Sequence, residues 1–135
     1  MRLTELLKEV LDSFGIKYRE QDGAVQLTLY SGAHKWSVSF SEDSEGFLKY
    51  YARYPWHIPE SRCNRVLSTL NEMNASLRAG CFFIHDSCPV FRYGVYIFDE
   101  FTARESVADL FLTASARTEA AWDKVYDAVC GMEVG

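Results

Sequence analysis

Val25, Leu27 and Leu29 alternate with Gln26 and Thr28, and Trp36, Val38 and Phe40 alternate with Ser37 and Ser39. Successive side chains on a strand point to opposite faces, so a period of two gives each segment one dry face and one wet face. Ser31-Gly32-Ala33 lies between the two segments and reads as a turn. Strands joined this tightly pair antiparallel, because parallel neighbours need a long crossover. The chain is therefore held to an antiparallel sheet with apolar material packed against one face.

Helical periodicity supplies that material. Leu3, Leu6, Leu7, Val10, Leu11 and Phe14 form one apolar stripe, and Gly15 follows as a helix stop. A strand is expected over Ile16–Glu20, with Asp22-Gly23 turning it into the Val25 strand, and a fourth strand over Phe47–Tyr54. Cys63, Val66, Leu67, Leu70 and Met73 mark a second helix from about Pro59 to Asn74, since proline suits a first helical position. A hairpin follows, with Gly80–His85 and Val90–Phe98 as strands and Asp86-Ser87-Cys88-Pro89 as the turn. The last helix starts at Thr102 and Glu105, in capping-box spacing, and runs to Gly131. The polar run Ser115–Glu119 marks a place where it bends or splits. The reading is an α+β fold, an antiparallel sheet with packed helices in the order α-β-β-β-β-α-β-β-α, in a single domain spanning residues 1–135.

The later strands differ from the early ones. Tyr51, Phe83, Tyr96 and Phe98 stand opposite in parity to Tyr50, Phe82, Phe91, Tyr93 and Ile97. Both faces of that half of the sheet therefore carry large apolar groups, and something must cover the second face. Either the chain's own helix or loops do so, or a partner or second copy does. Within Tyr50-Tyr51-Ala52-Arg53-Tyr54-Pro55-Trp56, the Tyr, Trp and Arg side chains are those that dominate binding hot spots. Packing of an aromatic strand and a Trp beneath the second helix explains the same stretch. The candidate partner-binding residues are Tyr51, Arg53, Trp56, Phe83, Tyr96 and Phe98.

Charge narrows the partners. The formal net charge is −5. Residues 1–67 carry nine basic and nine acidic side chains, whereas residues 68–135 carry five and ten. No basic stripe stands in the sequence to neutralise phosphates or anionic lipid, so neither nucleic acid nor a membrane is expected as partner. No apolar run exceeds four residues, and Met1–Glu5 opens a charged amphipathic segment rather than a signal peptide. A cytoplasmic setting follows, with Cys63, Cys81, Cys88 and Cys130 as thiols.

The residues with the most chemical potential are Cys81, His85 and Cys88. Cys81 and His85 stand four residues apart on one strand, about 13 Å, so only His85 and Cys88 can meet, too few for zinc. His34, His57 and His85 fall in loops or strand ends without a nucleophile signature, and Asp99-Glu100 and Glu42-Asp43 read as solvated turns. The expectation is a protein without catalytic centre or cofactor. The alternative is a metal- or thiol-dependent sensor or small enzyme around His85 and Cys88. Asn71 and Asn74 read as residues that end the second helix.

Pro59, Arg62, Leu70-Asn71, Asn74, Gly80, Phe82, Ile84, Asp86 and Phe91-Arg92 together resemble the bacterial YbjN-type domain. The resemblance covers roughly residues 3–131, and its motifs mostly mark core and turn positions. It departs at Cys88-Pro89, where the family usually has a turn glycine. The family is described as sensory transduction regulators. It implies a fold similar to type III secretion chaperones, which grip extended segments by edge strands and apolar grooves, and it carries no catalytic residue across. The function expected is a binding or adaptor module acting through protein–protein contacts or as a homodimer.

Overall fold

The computed structural model describes residues 2–43 and 46–131. Helix α1 (Leu3–Ser13) buries Leu3, Leu7, Val10 and Leu11. Its first-turn amides of Leu3 and Thr4 donate to Oε1 of Glu42, 2.9 and 3.4 Å away, placing a carboxylate at the positive end of the helix. It ends in a Schellman turn: Gly15 adopts φ +69°, its N–H bonds the Asp12 carbonyl, and the Ile16 N–H bonds the Leu11 carbonyl. That bond explains why the first strand, β1 (Arg19–Gln21), begins later than the sequence predicts. Ile16 is still committed to the helix.

Strands β2 (Ala24–Ser31), β3 (His34–Asp43) and β4 (Phe47–Arg53) follow. A single turn of 3-10 helix at Glu60–Arg62 precedes α2 (Cys63–Ser76), then come β5 (Cys81–His85) and β6 (Cys88–Tyr96). The six strands form one antiparallel sheet in the order β1-β2-β3-β4-β6-β5. The β5–β6 turn is tighter than predicted. Asp86 and Ser87 alone make it, both at positive φ (48° and 64°), and Cys88 already pairs with His85. Such a mirror-image turn matches the twist of the strands it joins, so it needs no glycine once Asp occupies its first position.

The last helical region is two helices, α3 (Ala103–Ala120) and α4 (Trp122–Cys130). The break has a cause in the core. The Thr118 carbonyl, which would accept from the Trp122 N–H in a continuous helix, instead accepts from the Tyr54 hydroxyl at 2.8 Å. The expected capping box does not form. Thr102 sits at φ −110°, ψ 5° rather than in extended backbone, and its side chain makes no cap. Asp99 Oδ1 caps the Phe101 N–H instead, at 2.9 Å.

The helices cover one face of the sheet. Val25, Leu27, Val38, Phe40, Leu48, Tyr50, Ala52 and Phe91 point into that layer and are buried with α1, α3 and α4. A directional hydrogen-bond chain crosses it. Trp36 Nε1 donates to the Tyr50 hydroxyl (3.2 Å), which meets Thr118 Oγ1 (2.8 Å), which donates to the Ala114 carbonyl (2.8 Å). The Trp36, Tyr50 and Thr118 side chains thus each have a partner, which fixes α3 at one place on the sheet. Burial pushes the Tyr50 phenol up to about 12, against the hydrogen bonds that favour its ionised form, and burial also holds Tyr54 far above the usual tyrosine range. Both stay neutral donors.

Candidate functional site

Among the described residues, no helix covers the opposite face of the sheet. Its composition follows from register, because paired residues share a face. One row runs Arg19, Gln26, Ser39, Tyr51, Arg92 and Cys81 across all six strands. The next runs Thr28, Ser37, Arg53, Val90 and Phe83. Together with Lys17, Tyr18 and His85 these residues, Cys81 excepted, line a broad open concavity of about 1060 Å³.

Among the described residues the lining contains Lys17, Arg19, Arg53 and Arg92 and no Asp or Glu, on a chain whose formal net charge is −5. Arg19 Nε donates to Gln26 Oε1 (3.2 Å), which extends the guanidinium along the sheet. The Arg92 guanidinium lies over the Phe83 ring (6.0 Å) and Lys49 over the Tyr51 ring (5.7 Å), as cation–π pairs. Asp86 stands at the rim, 3.5 Å from Arg53 and 3.3 Å from His85 Nε2. Counting four strand spacings of about 4.8 Å, Arg19 and Arg92 stand some 19 Å apart, with Ser39, Gln26 and Tyr51 between them. Arg53 and Arg92 are diagonal neighbours, about 7–8 Å apart at the backbone. Such a floor, cationic at both ends and uncharged but hydrogen-bonding between, can hold an anionic group, which at Arg53 competes with the rim carboxylate of Asp86.

The predicted site residues divide three ways. Tyr51, Arg53 and Phe83 come together on the concave floor. Tyr96 shares this face but lies at its far end, paired with Phe47 (ring centroids 4.6 Å), and Phe98 stacks on it at 5.6 Å and 9°. Trp56 does not join them. Pro55 ends the β4 pairing, and Trp56 turns to the helical side, stacked on Tyr54 (5.5 Å) and edge-on to Trp122 (4.6 Å) and Tyr126 (5.3 Å). It is a packing residue between sheet and α4.

Sequence reasoning missed Lys17, Arg19 and Arg92, which are scattered along the chain. The face is basic even though the sequence has no basic stripe. The parity that exposes Tyr51 and Phe83 also exposes Arg19 and Arg92 once the strand order is known, so register was the missing signal.

His85 and Cys88 do meet, as the closing pair of the β5–β6 hairpin. Cys88 is buried while the His85 ring is exposed and directed to Asp86. Among the described residues, no group of three or more His, Cys, Asp and Glu converges where it could hold a metal ion.

The two edges of the sheet are covered to different degrees. The outer edge of β5 is held by Asn74 of α2, which donates from Nδ2 to the Phe82 carbonyl (2.9 Å) and accepts the Phe82 N–H on Oδ1 (2.7 Å). Its predicted part in ending the helix is thus replaced by a tie to the strand. The other edge begins with β1, three exposed residues long (Arg19, Glu20 and Gln21), which pairs only with Ala24–Gln26 and leaves Leu27–Ser31 of β2 without a strand neighbour on that side. Short, charged edge strands such as β1 resist pairing with other chains. None of the described helices is long and apolar enough to cross a membrane.

The fold and this face frame the comparisons. A crystal structure of "YbjN, a putative transcription regulator from E. coli" superposes with a TM-score of 0.62 and 16% identity, over 90% of this chain and 87% of that one. A search of curated proteins by sequence returns no match. The profile of the YbjN family, described as "Putative bacterial sensory transduction regulator", matches residues 4–126. With that profile spanning most of its length, the chain belongs to the YbjN family.

Proposed function

We propose that this chain is a non-catalytic binding module that works through protein–protein contacts, with the open face of the sheet as its binding surface. One observation carries the reading: a concavity whose lining, among the described residues, holds Lys17, Arg19, Arg53 and Arg92 with Asp86 at the rim as their one carboxylate neighbour, in an acidic protein. Like charges gathered on one face repel one another, so the arrangement costs stability in the free protein unless an anionic partner offsets it. The tie of Asn74 to Phe82 disfavours strand addition at the β5 edge. A regulatory role agrees with the family's description and with that of the similar E. coli protein.

The test is affinity capture from the native host with wild type and the double variant R53E/R92E, followed by mass spectrometry. Both side chains are exposed, so the variant retains its fold, which circular dichroism checks. The expected result is a stoichiometric partner held by wild type and lost by R53E/R92E, with Y51S intermediate. An identical set of proteins held by both would overturn the reading.

A further inference from the structure

The open face is divided along the strand direction. Arg53 and Arg92 occupy one part of it, while Phe47 and Tyr96 lie at the other end, six residues from Arg53 along β4, or about 20 Å. Beyond Tyr96 the chain leaves the sheet as Phe98-Asp99-Glu100-Phe101, a loop between β6 and α3. Tyr96 is 64% exposed, Phe98 73% and Phe101 98%. Asp99 and Glu100 are exposed between those two phenylalanines. A loop with two rings and two carboxylates thus stands at one end of a face whose other part offers cations and the Tyr51 and Phe83 rings.

We infer that the open face is self-complementary, and that two copies of this chain close on each other face to face, each placing its Phe98–Phe101 loop in the cationic concavity of the other. A two-fold axis lying between the sheets and across the strands reverses strand direction from one copy to the next. It brings the acidic aromatic end of each copy over the basic part of its partner, twice. The contact is isologous and closes at two subunits, so it leaves no free half to propagate a filament. It covers the exposed aromatic patch and neutralises the gathered cations in one step. Rings seated beside guanidinium groups are the chemistry of interface hot spots. This inference rests on the reading that the open face is the binding surface, and makes the dimer the state that a foreign partner must compete with.

Sedimentation-equilibrium mass measurement on the full chain tests it, at low salt and at roughly 0.5 M NaCl, where the Debye length falls to about 4 Å. Wild type should sediment at twice the chain mass at low salt and lose mass as salt rises. R53E/R92E and D99K/E100K should each be monomeric, because each places two like-charged contacts across the axis. A 1:1 mixture of the two variants should recover the dimer, since both of its contacts are again opposite in sign. Thermal melts of each variant verify folding. A monomeric wild type overturns the inference, as does a dimer indifferent to both reversals, or a mixture that stays monomeric. A monomeric wild type whose captured partner still depends on Arg53 and Arg92 overturns the inference alone and leaves the proposed function standing. A monomer that instead retains a labelled single-stranded oligonucleotide through those arginines overturns both.

Discussion

Replacing Asn74 by Ala removes two hydrogen bonds at once, those to the Phe82 N–H and carbonyl. Both groups lie on the outer edge of β5, are only partly buried and can recover some solvent. Each bond is therefore worth an ordinary net ~0.5–1.5 kcal/mol, and the pair about 1–3 kcal/mol. With an m-value of roughly 1.5 kcal/mol per molar urea for a domain of this size, the unfolding midpoint should fall by about 1 M. N74D should lose about as much, because it keeps an acceptor for the Phe82 N–H but sets a carboxylate against the Phe82 carbonyl. The second consequence is specific to the edge. With Phe82 released, β5 offers an unpaired hydrogen-bonding edge, and the variant should associate or aggregate in a concentration-dependent way that wild type does not. Urea titrations at two protein concentrations, followed by light scattering, read both effects. If N74A unfolds within ~0.3 kcal/mol of wild type with no new concentration dependence, Asn74 does not hold the β5 edge against strand addition.

Two further outcomes follow from the buried tyrosines. Y50F leaves the Trp36 indole N–H without its acceptor in a dry core and should cost ~1–3 kcal/mol, a drop in Tm of roughly 3–10 °C by calorimetry. An unchanged Tm would show that the chain through Thr118 contributes nothing to stability. Raising the pH gives the complementary result. In the unfolded chain the phenols lose protons near pH 10, while in the folded protein Tyr50 holds its own to about 12 and Tyr54 higher still. The folded state then binds more protons than the unfolded one, so stability is full below pH 10 and is lost as pH rises through the folded value. The slope is about 1.4 kcal/mol per pH unit for each tyrosine, and equilibrium unfolding between pH 9 and 12 should show it. The Y50F variant should show a shallower decline; an equal slope would refute the assignment.

Local pattern made much of the fold legible. The alternation in Val25–Leu29 and Trp36–Phe40 identified β2 and β3 and their dry face, and the Leu stripe before Gly15 identified α1 with its stop. Elements failed where the decisive partner was distant or the backbone was already engaged. Ile16 looks like a strand start, but its N–H closes the end of α1. Thr102 and Glu105 have the spacing of a capping box, yet the turn set by Asp99 leaves Thr102 outside the backbone geometry a cap requires. Trp56 continues the composition of an interface strand, but Pro55 turns the chain and delivers the ring to α4. Aromatic parity located Tyr51, Phe83 and Tyr96 on the uncovered face; composition alone had no means of separating them from Trp56.

The charge of that face is the instructive case. Summed along the chain, the first half balances to zero and the second is acidic, and neither half contains a basic run. The arginines that line the concavity are contributed by β1, β4 and β6, and the last two become neighbours only because α2 carries the chain past the sheet edge so that β6 returns beside β4. A linear count of charge therefore measures the wrong quantity for a sheet assembled out of sequence order. Parity decides which face each arginine occupies, strand order decides which arginines share a row, and only their product is a cationic face. The same two rules send Asp99 and Glu100 past the end of β6 to the opposite end of the sheet, which lets one acidic chain carry both a cationic concavity and an anionic loop at a distance from it.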